Sequence, residues 1–105
     1  MAATTLYFDN DARFHGVFPA TATVNWAVVE DLDANIDAAT ITPVDASLAG
    51  TMTYSATRRR HEAVIEGDSV RNYLDPAKTY AIVAWFAQNA RQAIRAVVVK
   101  TVRPR

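Results

Sequence analysis

Hydrophobic residues recur at every second position in several short stretches of the chain. The clearest is residues 21–29, where Val24, Trp26 and Val28 fall on one side and more polar or smaller residues fall between them. A repeat of two is the spacing of a β-strand with one buried face. This stretch therefore predicts a strand, with Trp26 as an aromatic anchor in the core.

Residues 78–87 are apolar on both sides of the same two-residue repeat. Tyr80, Ile82, Ala84 and Phe86 share one side, and Ala81, Val83 and Trp85 share the other. A strand that is apolar on both faces is typical of the covered middle of a sheet. We expect a central strand here, and the predicted core residues are Trp26, Tyr54, Ile65, Tyr80, Ile82 and Phe86. Trp85 fits either the core or an interface.

The segment that follows supports two interpretations. The apolar residues between 85 and 98 also fit the spacing of a helix, and the alanine, glutamine and arginine content favours helix. Three consecutive valines at 97–99 favour a strand instead, because β-branched side chains suit a pleated sheet. We therefore expect a hairpin in which residues 88–91 connect the strand 78–87 to a strand 92–102.

The predicted strands number about seven, with turn signals about every ten residues, a pattern typical of an antiparallel sandwich. They cover residues 4–8, 21–29, 39–42, 51–55, 60–66, 78–87 and 92–102. One short helical turn is expected near 69–74, because Asp68 or Ser69 can cap it and Asp75-Pro76 ends it. The predicted fold class is all-β, with residues 1–20 as an N-terminal arm or a first strand plus loop, and residues 21–105 as the sandwich domain.

Composition narrows the possible partners. The chain has 105 residues, a usual size for one domain, and its 11 basic residues balance 11 acidic ones to a formal net charge of zero. Non-specific binding to nucleic acid or acidic membranes depends on net positive charge, so no membrane partner is expected and the balance argues against nucleic acid.

No cysteine is present, which excludes disulfides and thiolate chemistry. The first residues lack an apolar leader, so we expect synthesis in the cytoplasm.

The sequence contains no recognisable catalytic motif. The glycines stand at 16, 50 and 67, which excludes a phosphate-binding loop, and no serine lies in a nucleophile-elbow sequence. His15 and His61 lack partners at metal-ligand spacing. The acidic residues between 31 and 37 lack the glycine and the glutamate that a calcium loop of the EF-hand type needs. The expectation is a protein that is not an enzyme and has no cofactor or metal.

Two sets of residues are candidate contacts with a partner. The first is a basic turn, which is either solvated or a patch for an acidic partner. The second is a series of N-terminal aromatic residues, which either pack on their own domain or lie on a neighbouring subunit. The candidate residues are Arg58, Arg59 and Arg60 in the turn, and Tyr7, Phe8, Phe14 and Phe18 in the N-terminal segment.

From about residue 21 onward, several segments together give the chain a family resemblance. They are the strand 21–29 with its acidic loop, Gly-Thr-Met-Thr-Tyr at 50–54, Arg-His-Glu-Ala-Val-Ile-Glu at 60–66, the stretch 68–73, Leu-Asp-Pro-Ala-Lys-Thr-Tyr at 74–80 and the closing hairpin. In this pattern the chain resembles small immunoglobulin-like β-sandwich domains of tailed-bacteriophage virion proteins. The cysteine pair of antibody domains is missing, so antibody domains proper are not implied.

The resemblance implies a structural protein located in the virion. Such a protein would be a capsid decoration or cement protein, or a head–tail joining protein, and would bind major capsid or connector subunits. Self-association in a symmetric assembly would accompany that role.

Two other functions remain as alternatives. The first is a carbohydrate- or ligand-binding sandwich module, which predicts an exposed aromatic platform formed by Trp85 with Tyr73. The second is a small β-barrel that binds single-stranded nucleic acid through the arginine turn, with affinity that falls as salt rises.

Overall fold

The computed structural model describes residues 4–7, 10–36, 40–87 and 90–99. These residues contain eight strands, two α-helices and one 3₁₀ turn. The strands are β1 (Thr4–Tyr7), β2 (Ala12–Gly16), β3 (Asn25–Glu30), β4 (Ala49–Thr51), β5 (Thr53–Ser55), β6 (Arg60–Ile65), β7 (Thr79–Ala87) and β8 (Ala90–Val99). The helices are α1 (Asp33–Ile36) and α2 (Gly67–Tyr73), and the 3₁₀ turn is Ala46–Leu48.

The strands form two sheets. The larger has five strands in the order β1-β8-β7-β3-β4, and the smaller has three in the order β2-β6-β5. Neighbouring strands are antiparallel except for β1 and β8, which run parallel. The predicted all-β, largely antiparallel fold is confirmed.

Strand β7 lies in the middle of the five-stranded sheet, between β3 and β8. Its side chains alternate as predicted: Ile82 belongs to one buried cluster, and Ala81 and Val83 belong to another on the opposite face. The prediction of a central strand covered on both faces is confirmed.

A single core cluster is shared by the two sheets. Leu6, Val28 and Ile82 from the larger sheet are buried together with Ile65 from the smaller one. Each fully buried aliphatic side chain of this kind contributes about 1.5–3 kcal/mol to folding. The radius of gyration, 13.3 Å, is close to the ~13 Å expected for a compact domain of this length. The core therefore holds the two sheets together as one unit.

Two further sequence predictions are confirmed. The helical turn expected near 69–74 is α2, which spans Gly67–Tyr73 and ends before the proline at 76. The expected cap, Asp68 or Ser69, is wrong, because both residues lie inside the helix. Residues 85–87 and 90–98 belong to the paired strands β7 and β8, with Ile82 opposite Ile94, so the helical interpretation is wrong. The expected connection 88–91 needs correction, because Ala90 and Arg91 already belong to β8 and pair with β7.

Several strand predictions need correction. Residues 40–42 of the expected strand 39–42 are irregular, and Ile41 packs against the second buried cluster instead of joining a ladder. The strand expected over 51–55 is divided at Met52, because β4 pairs with β3 in the larger sheet whereas β5 pairs with β6 in the smaller one. The backbone N–H of Met52 donates to the carbonyl of Val24 at 2.7 Å, which fixes the crossing point. The chain thus moves from one sheet to the other at Met52.

The remaining corrections concern β2 and Phe86. Strand β2, which pairs with β6, was not predicted as a separate strand. Phe86 was predicted to be in the core, but it is 40% exposed. It lies where the β7–β8 register shifts between Trp85 and Ala87, so the end of the strand turns away from the core.

In the part of the chain that the structure describes, no helix has both the length and the apolar character needed to cross a membrane.

Candidate binding surface

The arginine turn joins β5 to β6 at residues 56–59, where Ser55 pairs with Arg60. Arg59 has φ of 55°, a left-handed conformation that residues other than glycine rarely adopt. The backbone N–H of Arg58 donates to the Ser55 hydroxyl at 3.3 Å. This tight connection presents Arg58 and Arg59 to solvent beside the end of β6.

Glu62 lies at the centre of the arginine group. Strand alternation puts Arg60 and Glu62 on the same side of β6, and Arg58 reaches back from the turn. Arg58 Nη1 lies 3.0 Å and Arg60 Nε 2.9 Å from the same oxygen, Oε2 of Glu62. The hydrogen bonds from Arg58 and then Arg60 hold the pKa of the Glu62 carboxyl below its ordinary value. Glu62 is therefore a fixed anion that orients two guanidinium groups.

The strands on either side of β6 extend this surface. His15 on β2 and Thr53 on β5 are both the register partners of Glu62, and Arg13 on β2 is the partner of Val64. Directly opposed residues lie on the same side of a sheet. The outward face of the smaller sheet therefore carries arginine, histidine and threonine around a central glutamate, with Val64 42% exposed beside them.

A cleft of about 580 Å³ is lined by these residues together with residues of the larger sheet, and we call it the arginine cleft. Its volume lies within the ~300–1,000 Å³ of small-molecule and cofactor pockets. Trp26 and Phe14 contribute aromatic walls, and their rings meet edge to face with centroids 5.3 Å apart. The lining residues are Arg13, Phe14, His15, Trp26, Gly50, Thr51, Thr53, Arg58, Arg60, Glu62, Ala63 and Val64.

The N-terminal aromatic candidates occupy different places. Phe18 is only 8% exposed, and its ring packs edge to face on both His61, at 6.0 Å, and Phe86, at 5.8 Å. Phe14 is half-buried against Trp26 on the wall of the arginine cleft. The backbone of Tyr7 pairs with β8 opposite Val99, and Phe8 lies outside the described residues. Phe18 therefore stabilises this chain's own core, and Phe14 is the one of these candidates whose described side chain lies at the cleft.

His61 is a core residue rather than a surface one. It is 1% exposed, and its Nε2 lies 3.2 Å from the carbonyl oxygen of Ala22. Its ring packs on Tyr54 with centroids 5.0 Å apart, and its Nδ1 has no hydrogen-bond partner among the described residues. The contact with Ala22 ties the segment before β3 to the start of β6. Within the described residues, no three or more histidine, aspartate or glutamate side chains are grouped as metal ligands would be.

The aromatic pair predicted for a carbohydrate-binding module does not form a shared platform. Trp85 lines a shallow cleft with Ile41 and Pro43 on the outer face of the larger sheet. Tyr73, which is 47% exposed, lines a different cleft with Lys78. Since the two rings line separate clefts, no observation favours a stacked sugar between them.

The sequence identified only part of the arginine cleft. Arg58 and Arg60 were candidates because of the basic run, and the structure brings both to Glu62. Arg59 is exposed in the turn and does not line the cleft. Arg13 was not singled out, because its position depends on the register between β2 and β6. Alternation along residues 12–16 is the signal that could have found it.

No protein-family model matches this chain. A comparison with curated proteins likewise finds no match.

Proposed function

We propose that the chain is a non-enzymatic structural protein of a tailed-phage virion, built on an immunoglobulin-like β-sandwich. It would act as a capsid decoration protein or a head–tail joining protein, and it would bind neighbouring coat or connector subunits. The observation that carries the proposal is the arginine cleft, a preformed surface bounded by strand edges. The family resemblance of residues 21 onward supplies the virion context.

The composition of the cleft supports protein binding. Arginine and large aromatic residues are enriched among the residues that dominate binding energy at protein interfaces. Arg58 and Arg60 line the cleft together with the half-buried ring of Phe14, and the exposed Val64 lies beside them.

The edges of both sheets give a second means of association. Strands β2 and β5 are the edges of the smaller sheet, and β1 and β4 are the edges of the larger one. An edge strand presents unpaired N–H and C=O groups that another chain can pair with. In a symmetric assembly many modest contacts of this kind add up by avidity.

A sedimentation experiment tests the proposed function. Purified chain is mixed with particles of the phage that encodes it, prepared without the chain, and the amount that sediments with the particles is measured. We expect saturable binding, and about tenfold weaker binding, or ~1.4 kcal/mol, for a variant with both Arg58→Ala and Arg60→Ala. Arg71→Ala is the matched control, because Arg71 on α2 is exposed and lies outside the cleft. A chain that stays in the supernatant at every concentration would contradict the proposal.

A further inference from the structure

We infer that the arginine cleft is a receptor for an acidic, extended segment of a partner protein. The inference rests on the proposed function in one respect, since both require that the chain binds protein. It goes further by naming the surface and the chemistry of the segment that occupies it.

Local charge is the first argument. The described residues that line the cleft include three arginines and one carboxylate, which give two net positive charges before His15 is counted. The chain as a whole has a formal net charge of zero. Positive charge is therefore concentrated at this site. It attracts anions and increases the rate of association with an acidic partner.

The second argument is that the arginine side chains of the cleft have hydrogen-bond donors to spare. A guanidinium has five N–H donors. Among the described residues, the side chains of Arg58 and Arg60 each donate to Glu62 alone, and Arg13 forms no ion pair. Glu62 holds the two guanidinium groups in place and leaves most of their donors for carboxylates of a partner. Hydrogen bonds between charged groups are about twice as strong as neutral ones.

The width of the smaller sheet, from edge strand β2 to edge strand β5, favours an extended peptide as the ligand. The cleft is lined by residues of both edge strands of the smaller sheet, Arg13 and His15 on β2 and Thr53 on β5. Three adjacent strands span ~10 Å, the length of about three extended residues. A short extended segment can therefore cross the face from one edge to the other and place carboxylates beside the arginines.

The aromatic wall argues against nucleic acid as the occupant. Single-stranded nucleic acid binds proteins largely by stacking its bases on aromatic faces. Trp26 is only 6% exposed, and the ring of Phe14 meets it edge to face. A peptide that carries both acidic and apolar side chains suits the arginines and the exposed Val64 better.

Fluorescence anisotropy with the full chain tests this inference. The probe is a labelled peptide of sequence Gly-Ser-Glu-Val-Glu-Ser-Gly, and the matched peptide has glutamine at both glutamate positions. We expect the acidic peptide to bind, the glutamine peptide to bind at least tenfold more weakly, and affinity to fall as salt screens the charges. An oligothymidylate of similar length serves as the nucleic-acid probe.

Variants identify the site. Arg58→Ala and Arg60→Ala should each weaken binding of the acidic peptide about fivefold to tenfold, and Arg71→Ala should not change it. Glu62→Gln should strengthen binding, because it removes the only carboxylate in the lining. Equal binding of the two peptides, tighter binding of the oligothymidylate, or unchanged affinity in the Arg58 and Arg60 variants would each overturn the inference.

The two proposals fail in different ways. If the chain sediments with phage particles but does not bind acidic peptides, the proposed peptide receptor is contradicted and the virion role is still supported. A chain that binds acidic peptides through Arg58 and Arg60 but never sediments with particles would support the receptor and contradict the virion role.

Discussion

The side chain of Asp11 accepts a hydrogen bond at 3.0 Å from the backbone N–H of Gly67, which is 56 residues further along the chain. Gly67 is the first residue of α2, and Glu66 before it makes no side-chain cap. The N-terminal segment therefore caps a helix that the local sequence leaves uncapped. This bond joins the start of β2 to α2, while β1 pairs with β8 and β2 pairs with β6, so both N-terminal strands belong to the folded unit.

Replacing Asp11 with alanine should remove the cap of α2. The expected loss is about 1 kcal/mol of unfolding free energy, the usual cost of deleting an N-terminal helix cap. Asp11→Asn keeps a side-chain oxygen at the same place and should recover most of the loss. Urea unfolding followed by circular dichroism measures both variants, and equal stability of Asp11→Ala and the parent chain would show that the bond contributes nothing.

Replacing Phe18 with alanine should be far more costly. Phe18 is 8% exposed and packs between His61 and Phe86, so its removal leaves a cavity in the core. Such truncations cost about 3–5 kcal/mol. The neighbouring Val17 is 70% exposed, and Val17→Ala should change stability by less than ~0.5 kcal/mol. If the two variants unfold at the same denaturant concentration, Phe18 is not a core residue in solution.

Glu62 should make stability depend on pH. Its two arginine partners depress its pKa from the ordinary value of 4.5, so the folded state favours the carboxylate. The stabilisation is fully present above the unfolded-state pKa and is lost as the pH falls through the lower, folded-state pKa. The melting temperature of the parent chain should therefore exceed that of Glu62→Gln at neutral pH, and the difference should disappear in acid. A difference that is constant across this pH range would contradict the ion pairs.

Gly50 should resist even a small side chain. A Cβ at Gly50 would lie 3.1 Å from Nε1 of Trp26, and Phe14 restricts the indole from another direction. Gly50→Ala should shift the indole, change the tryptophan emission spectrum and lower stability by about 1 kcal/mol. Thr51→Ala, at the next position of β4, is the control, and its emission spectrum should match that of the parent. A more stable Gly50→Ala would mean that the indole moves freely.

The hydrophobic pattern of the sequence was sufficient to predict a strand where its two-residue repeat is uninterrupted. Residues 79–85 of β7 alternate without interruption, and both faces of this part are apolar, so its central position could be predicted. The division of residues 49–55 into β4 and β5 at Met52 could not be predicted, because the two-residue repeat of Met52 and Tyr54 continues through the point of division. Only the pairing of β4 with β3 and of β5 with β6 separates them, and pairing is a long-range property.

The candidate site shows the same limit. The basic run at 58–60 is visible in one local stretch, and so is the alternation that puts Arg60 beside Glu62. The contribution of Arg13 depends on the register that sets it opposite Val64, 51 positions away, which no local pattern specifies. Phe86 was misassigned for a related reason, since the irregularity after Trp85 depends on how β7 meets β8.

Hydrogen–deuterium exchange of the chain, free and bound to phage particles, would show which surface the particle covers. Backbone amides buried by a partner exchange more slowly, so the experiment maps the contact surface without any substitution. We expect slower exchange on binding at residues 13–15 and 50–64, which include the strands that line the arginine cleft. Slower exchange confined to the outer face of the larger sheet, with the cleft unchanged, would contradict this expectation.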